Sequence, residues 1–238
     1  MSEMHCVVLA GGLGTRISTI TDNKVPKALV EVGGVPFLHF KILSLIEMGF
    51  TSLDLLVGVH GGQIESFINS RKYQDIEIRC FSDGPELLGT AGSIRAILDD
   101  LPESFWVTYA DSYVVADVGS VEKTDSFSGK SIMTVLKNDD RVETSNVSLS
   151  AEGNFVTSYE KNPPSKSHMW IDYGLLRFEK SDFENITRSK KVDLRTVIEA
   201  EISKNKLRAL QTKHLFWDIG TPDRLHATSD EFRRRGWV

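Results

Sequence analysis

The chain has 238 residues, 40% of them hydrophobic and 26% charged, which is ordinary globular composition and enough for one large α/β domain. A net charge of −5 argues against a general nucleic-acid grip, and no apolar run approaches the ~18 residues that span a membrane, so neither nucleic acid nor membrane is an expected partner. The opening MSEMHCVVLAGG lacks a basic segment ahead of a long apolar stretch, so it is not read as a secretory signal. A cytoplasmic location is expected, with Cys6 and Cys80 as buried free thiols.

In chain order, apolar strands alternate with helical patterns. HCVVLA (5–10) reads as a buried strand leading into a glycine-rich loop. PFLHFKILSLIEMGF (36–50) has helical spacing and stops at Gly49, LDLLVGV (53–59) is a strand, GQIESFINSRK (62–72) a helix, and IEIRCF (76–81) a strand. GTAGSIRAILDDL (89–101) is a helix opening on glycines, and SFWVTYAD (104–111) a strand. The texture then turns antiparallel: SIMTVLK, NVSLS, FVTSYEK and MWIDYGLLRFE read as strands, with the turn AEGN between the second and third. DLRTVIEAEIS is amphipathic and LRALQTKHLFWDIG extended. TPDRLHATSDEFRRRG closes as a helix with Thr221 as N-cap and Pro222 in its first turn. The expected fold is α/β, a Rossmann-like three-layer, doubly wound mixed sheet with an α+β extension. The expectation is one domain over 1–238, divided into sub-regions 1–115 and 116–238.

In open α/β sheets ligands bind beyond the carboxyl ends of the strands, and six segments fall at such ends. The loop VVLAGGLGTR…PKAL fits neither the dinucleotide fingerprint nor the P-loop spacing, yet it combines small residues with two cations, Arg16 and Lys27, suited to an anion. LLGTAGS opens a helix whose N–H groups could face a ligand. YADSYVVAD places Asp111 at a strand end as a magnesium candidate, with Asp117 read as a surface or turn acid. FWDIGTPDRL places Asp218 likewise, although Asp before Gly is also common turn chemistry. SYEKNP offers Glu160 and Lys161, and WIDYGLLRF offers Asp172, Tyr173 and Gly174. The six histidines show no zinc-ligand spacing, and no nucleophile elbow occurs.

LAGGLGTR…PKAL, LLGTAG, YADSYV, YEKNP, WIDYGLL and WDIGTP, in this order across residues 6–225, make the chain resemble the sugar-1-phosphate nucleotidylyltransferases. It looks most like small bacterial heptose-1-phosphate guanylyltransferase-like enzymes. The resemblance implies transfer of NMP from an NTP to a sugar 1-phosphate, releasing pyrophosphate with Mg²⁺, for glycan or surface-polysaccharide precursors. It implies that Leu9, Ala10, Gly11, Gly12, Gly14, Thr15, Arg16, Gly89 and Thr90 bind nucleotide. Arg16 would hold the departing pyrophosphate, Lys27 would bridge both phosphates, and Asp111 and Asp218 would hold the metal. Arg16, Lys27 and Asp111 form the implied catalytic set. Glu160, Lys161, Asp172, Tyr173 and Gly174 would bind the sugar phosphate. Asp83 is read as a hydrogen-bond acceptor for a guanine edge, which inclines the expected NTP to GTP. The motif departs from the family at Ile17–Thr21, Ala28 and Ala110, and the family's frequent C-terminal β-helix is missing. Rival readings are a cytidylyltransferase acting on phosphocholine or another small phosphate, a non-catalytic nucleotide-sugar-binding regulator, and an NAD-dependent dehydrogenase, which lacks the third fingerprint glycine. The residues leave a homo-oligomer open.

Overall fold

The computed structural model describes residues 3–12, 17–22, 24–74, 76–84, 87–124, 129–138, 144–160 and 168–238. In chain order it contains β1 (His5–Ala10), α1 (Ser18–Thr21), β2 (Glu31–Val32), β3 (Val35–Pro36), α2 (Phe37–Glu47), β4 (Ser52–Val57), α3 (Gly61–Asn69) and β5 (Glu77–Ser82). There follow α4 (Gly89–Ala96), β6 (Ser104–Tyr109), β7 (Ser112–Tyr113), α5 (Val118–Glu122), β8 (Ile132–Lys137), β9 (Val147–Leu149) and β10 (Val156–Tyr159). The last elements are β11 (Trp170–Glu179), α6 (Leu194–Ser203), β12 (Arg208–Thr212), β13 (Trp217–Asp218) and α7 (Pro222–Arg234).

The chain forms a mixed α/β fold arranged as two compact units that interleave in sequence. One comprises Met1–Leu87, Thr108–Val115 and Phe216–Val238; the other comprises Leu88–Val107 and Ala116–Leu215. This differs from a linear division at residue 115. The C-terminal segment returns to the first unit because β13 pairs antiparallel with β7, Asp218 standing opposite Ser112.

In the first unit β1, β4 and β5 run parallel and in register, as the α2 and α3 crossovers require. All six residues of β4 are buried, the near-continuous apolar pattern of a covered parallel strand. Its one charge, Asp54, accepts hydrogen bonds from His5 Nε2 at 2.9 Å and from Arg79 Nε and Nη2 at 2.7 and 2.8 Å. Burial pushes the Asp54 carboxyl up, but these two partners outweigh it and hold it below the ordinary range. A second core gathers Ile17, Val30, Phe37, Phe40, Tyr113, Ile219 and Phe232. It roots the segments that carry the site: the turn after Pro26, the β7–β13 ladder and α7. Thr221 caps α7 as expected, its side chain accepting from Arg224 N, with Pro222 in the first turn.

In the second unit β11 pairs antiparallel with β8 and β9, β9 with β10, and β8 runs parallel to β12. Phe105, Phe178 and Phe183 stack in its core. Asp117, read as a turn acid, is the N-cap of α5, accepting from Ser120 N. Cys6 is buried and Cys80 half-buried, both as free thiols. No helix among the described residues is long and apolar enough to cross a membrane.

Candidate active site

The first unit brings Lys27, Asp111 and Asp218 together. The PKAL segment folds as a 3₁₀ turn, Lys27–Leu29, that buries Ala28 and is closed by Val30 N donating to Lys27 O. Anchored this way, Lys27 sends Nζ to Asp111 Oδ2 at 2.5 Å; the side chains are 12% and 33% exposed. Asp111 follows the buried strand β6, whose apolar residues leave the first carboxylate at its carboxyl end. Ala110 N donates to Leu9 O, so the end of β1 is tied to the residue just before Asp111. Ile219 N donates to Asp111 O at 3.1 Å, which carries Asp218 beside it.

Asp218 serves turn and charge at once. Its Oδ1 accepts from Gly220 N at 2.7 Å, the Asx turn anticipated from the Asp-x-Gly spacing, and its Oδ2 accepts from Arg224. The turn is close to both charges: a Cβ on Gly220 would stand 2.8 Å from Asp218 Oδ1 and 3.6 Å from Lys27 Nζ. Lys27 and Asp218 thus lie within a side chain's breadth of one another.

Beside this cluster lies a pocket of about 330 Å³, the size of a small-ligand site, lined by Ala10, Gly11 and Gly12 from the loop after β1, by Pro26, and by Gly58–Gly61. The two glycine loops touch. A Cβ on Gly58 would lie 2.6 Å from Gly11 O, so only glycine permits that backbone approach. The Gly58–Gly61 loop was not singled out in the sequence, although GVHGG after an apolar strand has the same composition as the first loop. Asp83 follows β5, its N–H donating to Val57 O. Gly14, Thr15 and Arg16 lie outside the described residues, as does Lys161.

A charge buried beneath the cluster also went unremarked in the sequence. Lys41, fully buried on α2, donates to Thr108 Oγ1 at 2.8 Å, three residues ahead of Asp111. Burial lowers its pKa to about 8 against the opposing pull of Cys6 and Asp111. Burial likewise pushes the neighbouring Cys6 thiol up to about 12.

The remaining candidates belong to the second unit. Gly89 and Thr90 open α4, but the N–H groups of Ala91 and Gly92 already donate to Val192 O at 3.0 and 3.2 Å, and Thr90 Oγ1 accepts from Leu194 N at 2.7 Å. A Cβ on Gly89 would meet Val192 O at 2.6 Å. The N–H groups of Ala91 and Gly92 are thus taken up by the segment leading into α6. Glu160 follows β10 and lies 3.6 Å from His168 Nε2, while His168 Nδ1 is 2.8 Å from Ser148 Oγ. Asp172–Gly174 sits within β11, the strand expected over MWIDYGLLRFE, at a register shift. Gly174 has φ +78° there and donates its N–H to Asp172 Oδ1. The Tyr173 ring is buried, its hydroxyl donating to Leu215 O at 3.4 Å.

Two hard-oxygen carboxylates at adjacent strand ends, beside a glycine-lined pocket, suit Mg²⁺, which takes one or two carboxylates and fills its other positions with phosphate oxygens and water. The fit holds in this structure because each carboxylate keeps spare lone pairs beyond the partners named above.

Glycine loops after parallel strands, with cations and two carboxylates beside them, suit a protein that handles phosphorylated nucleotides. Residues 5–235 match the nucleotidyl transferase family, and the chain belongs to it, among the sugar-1-phosphate nucleotidyltransferases. It is 28% identical to the D-glycero-alpha-D-manno-heptose 1-phosphate guanylyltransferase of Campylobacter jejuni, over 92% of this chain and 96% of that protein. The enzyme of the same name from Aneurinibacillus thermoaerophilus is 26% identical over 92% and 94%. The crystal structure of HddC from Yersinia pseudotuberculosis shares the fold with a TM-score of 0.82 at 22% identity, over 96% of this chain and 99% of that one.

Proposed function

We propose that the protein transfers a nucleoside monophosphate, GMP in the first instance, from an NTP to a sugar 1-phosphate of the heptose class. An oxygen of the sugar phosphate attacks the α-phosphorus, the bond to the bridging α–β oxygen breaks, and pyrophosphate leaves with that oxygen. The attacking oxygen is already ionised, so no general base is needed. What the protein must supply is in-line positioning and neutralisation of charge.

The observation that carries this reading is the cluster of Lys27, Asp111, Asp218 and Arg224 beside the glycine-lined pocket. Gly11, Gly12 and Gly58 let the nucleotide approach the backbone closely, with Leu9 and Ala10 leading into the loop and Gly14, Thr15 and Arg16 completing it toward the pyrophosphate. Lys27 neutralises the phosphate that forms the new bond. Asp111 and Asp218 hold Mg²⁺, which when bound would supply a Lewis acid to the phosphate oxygens. Asp83 accepts from the guanine edge. Glu160 takes the sugar hydroxyls, Lys161 the sugar phosphate, and Asp172, Tyr173 and Gly174 the sugar rim; Gly89 and Thr90 lie near the base and ribose. GTP is favoured because the relatives named above are guanylyltransferases and because Asp83 stands at the end of β5. A nucleoside triphosphate substrate places the reaction in the cytoplasm, with glycan or surface-polysaccharide precursors as the product class.

The test is a matrix of four NTPs against several sugar 1-phosphates and phosphocholine, reading pyrophosphate. GTP with a heptose or mannose 1-phosphate should give the highest rate. No pyrophosphate from any sugar 1-phosphate overturns the proposal.

A further inference from the structure

We propose that Arg224 is a further residue of the site. Together with Lys27 it keeps the carboxylate pair closed to a free divalent cation, and it releases Asp218 only when the phosphates of a nucleotide offer the guanidinium a new partner. This rests on the nucleotidyl-transfer reading above and concerns how that site admits its ligands.

The charges make the argument. Lys27 sits on Asp111 and Arg224 on Asp218, so each carboxylate is already paired with a cation in one partly buried place, with Lys41 a further cation beneath them. A divalent ion arriving alone would have to expel two ammonium- or guanidinium-held positions and then sit beside both displaced cations, which is unfavourable at low local dielectric. A metal–triphosphate complex is net anionic. Its phosphate oxygens receive the displaced Lys27 and Arg224, so the carboxylates open without leaving a cation stranded. Guanidinium is the group for this exchange, since its planar fork matches carboxylate and phosphate alike.

The placement of Arg224 points the same way. It is the third residue of α7, in the first turn, where the helix dipole disfavours a cation. Helix stability therefore gives no reason for an arginine here, and the first turn of the same helix also carries Asp223, the sign that position prefers. Among the partners of Arg224 is Asp218, six residues back across the Gly220 turn. The arrangement is also built to be exact in reach: Asp218 Oδ1 is fixed by Gly220 N, leaving Oδ2 to the guanidinium, and Thr228 Oγ1 donates to Asp218 O at 2.7 Å and pins the strand end.

Calorimetric titration of Mn²⁺ into the protein without nucleotide tests this. The wild type should bind the ion only weakly, with Kd of about 1 mM or above. Arg224→Met should tighten it about tenfold or more, because Asp218 is uncovered, and Arg224→Gln serves if the methionine variant does not fold. The gain should vanish when Asp218→Asn is added. A wild type that binds Mn²⁺ alone as tightly as the variant, or a folded variant with no gain, overturns the proposal. Failure of the activity reading is separable: a protein that shows this metal pattern but makes no pyrophosphate keeps the inference, and one that turns over while binding Mn²⁺ tightly by itself loses it.

Discussion

Two charge clusters, one in each compact unit, use the same chemical parts to opposite ends. In the second unit Arg177, 8% exposed, spreads its guanidinium over Glu122 Oε1, Glu179 Oε1, Ser104 Oγ and Lys130 O, and Glu122 also accepts from Trp106 Nε1. The partners are themselves partly buried, and the guanidinium at their centre is largely withdrawn from solvent. In the first unit Lys27–Asp111 and Asp218–Arg224 stand at strand ends beside a pocket, with Asp111 a third exposed. Buried arginine networks saturated by protein acceptors hold a fold; paired charges at the mouth of a pocket can trade partners with a ligand. Burial and saturation, more than the residue types, separate structure from function.

That contrast can be broken by exchange of outcomes. Asp111→Asn should lower kcat by about 10³-fold while the melting temperature holds, as expected for loss of a charge that acts on the transition state. An unchanged kcat would remove Asp111 from the site. Arg177→Met should do the reverse. Stranding Glu122 and Glu179 costs about 3–5 kcal/mol in urea unfolding, and the protein that remains folded should keep its KM for nucleotide. A variant that is fully stable but inactive would reverse the roles assigned to the two clusters.

Lys41 sharpens the comparison, being a buried cation that donates to a neutral acceptor, Thr108, close under the site. Its folded pKa of about 8 lies below the ordinary 10.5, so between those values the unfolded chain holds more protons and stability rises with pH. Lys41→Met should therefore be the more stable protein at pH 7, by up to about 3 kcal/mol, with the gap closing toward pH 10.5. Urea unfolding of both proteins at pH 7 and pH 10 reads this directly, and a gap that fails to narrow contradicts the burial argument. Smallest is Gly58→Ala, where the new methyl meets Gly11 O. We expect about 1–2 kcal/mol of destabilisation and a raised KM for nucleotide, with little change in KM for the sugar phosphate.

The main strands and helices were legible because apolar period and glycine punctuation mark them. Asp111 was legible because it follows the buried run of β6; Lys27 and Asp218 follow more exposed stretches and were singled out by the Pro-Lys and Trp-Asp-Ile-Gly segments. Arg224 was hidden because in sequence it is one more charge on a polar helix; only the Gly220 turn folds it back onto Asp218. Lys41 was hidden in an apolar helical pattern that gives no sign of which face reaches Thr108. Nothing in the sequence signals that Gly89 also lies against Val192 O. The strand over MWIDYGLLRFE was legible, but its register shift at Asp172–Gly174 was not, because the partner strand β8 that sets it is far away in the chain. Tertiary pairing supplied what local pattern could not.

The most direct test of the account is phosphorus NMR of the wild-type protein with Mg²⁺, GTP and a heptose 1-phosphate. The account predicts that the α-, β- and γ-phosphate resonances of GTP give way together to those of a diphosphate-linked nucleotide sugar and free pyrophosphate, in equal amounts. Release of inorganic phosphate with GDP, or spectra that do not change, would contradict it.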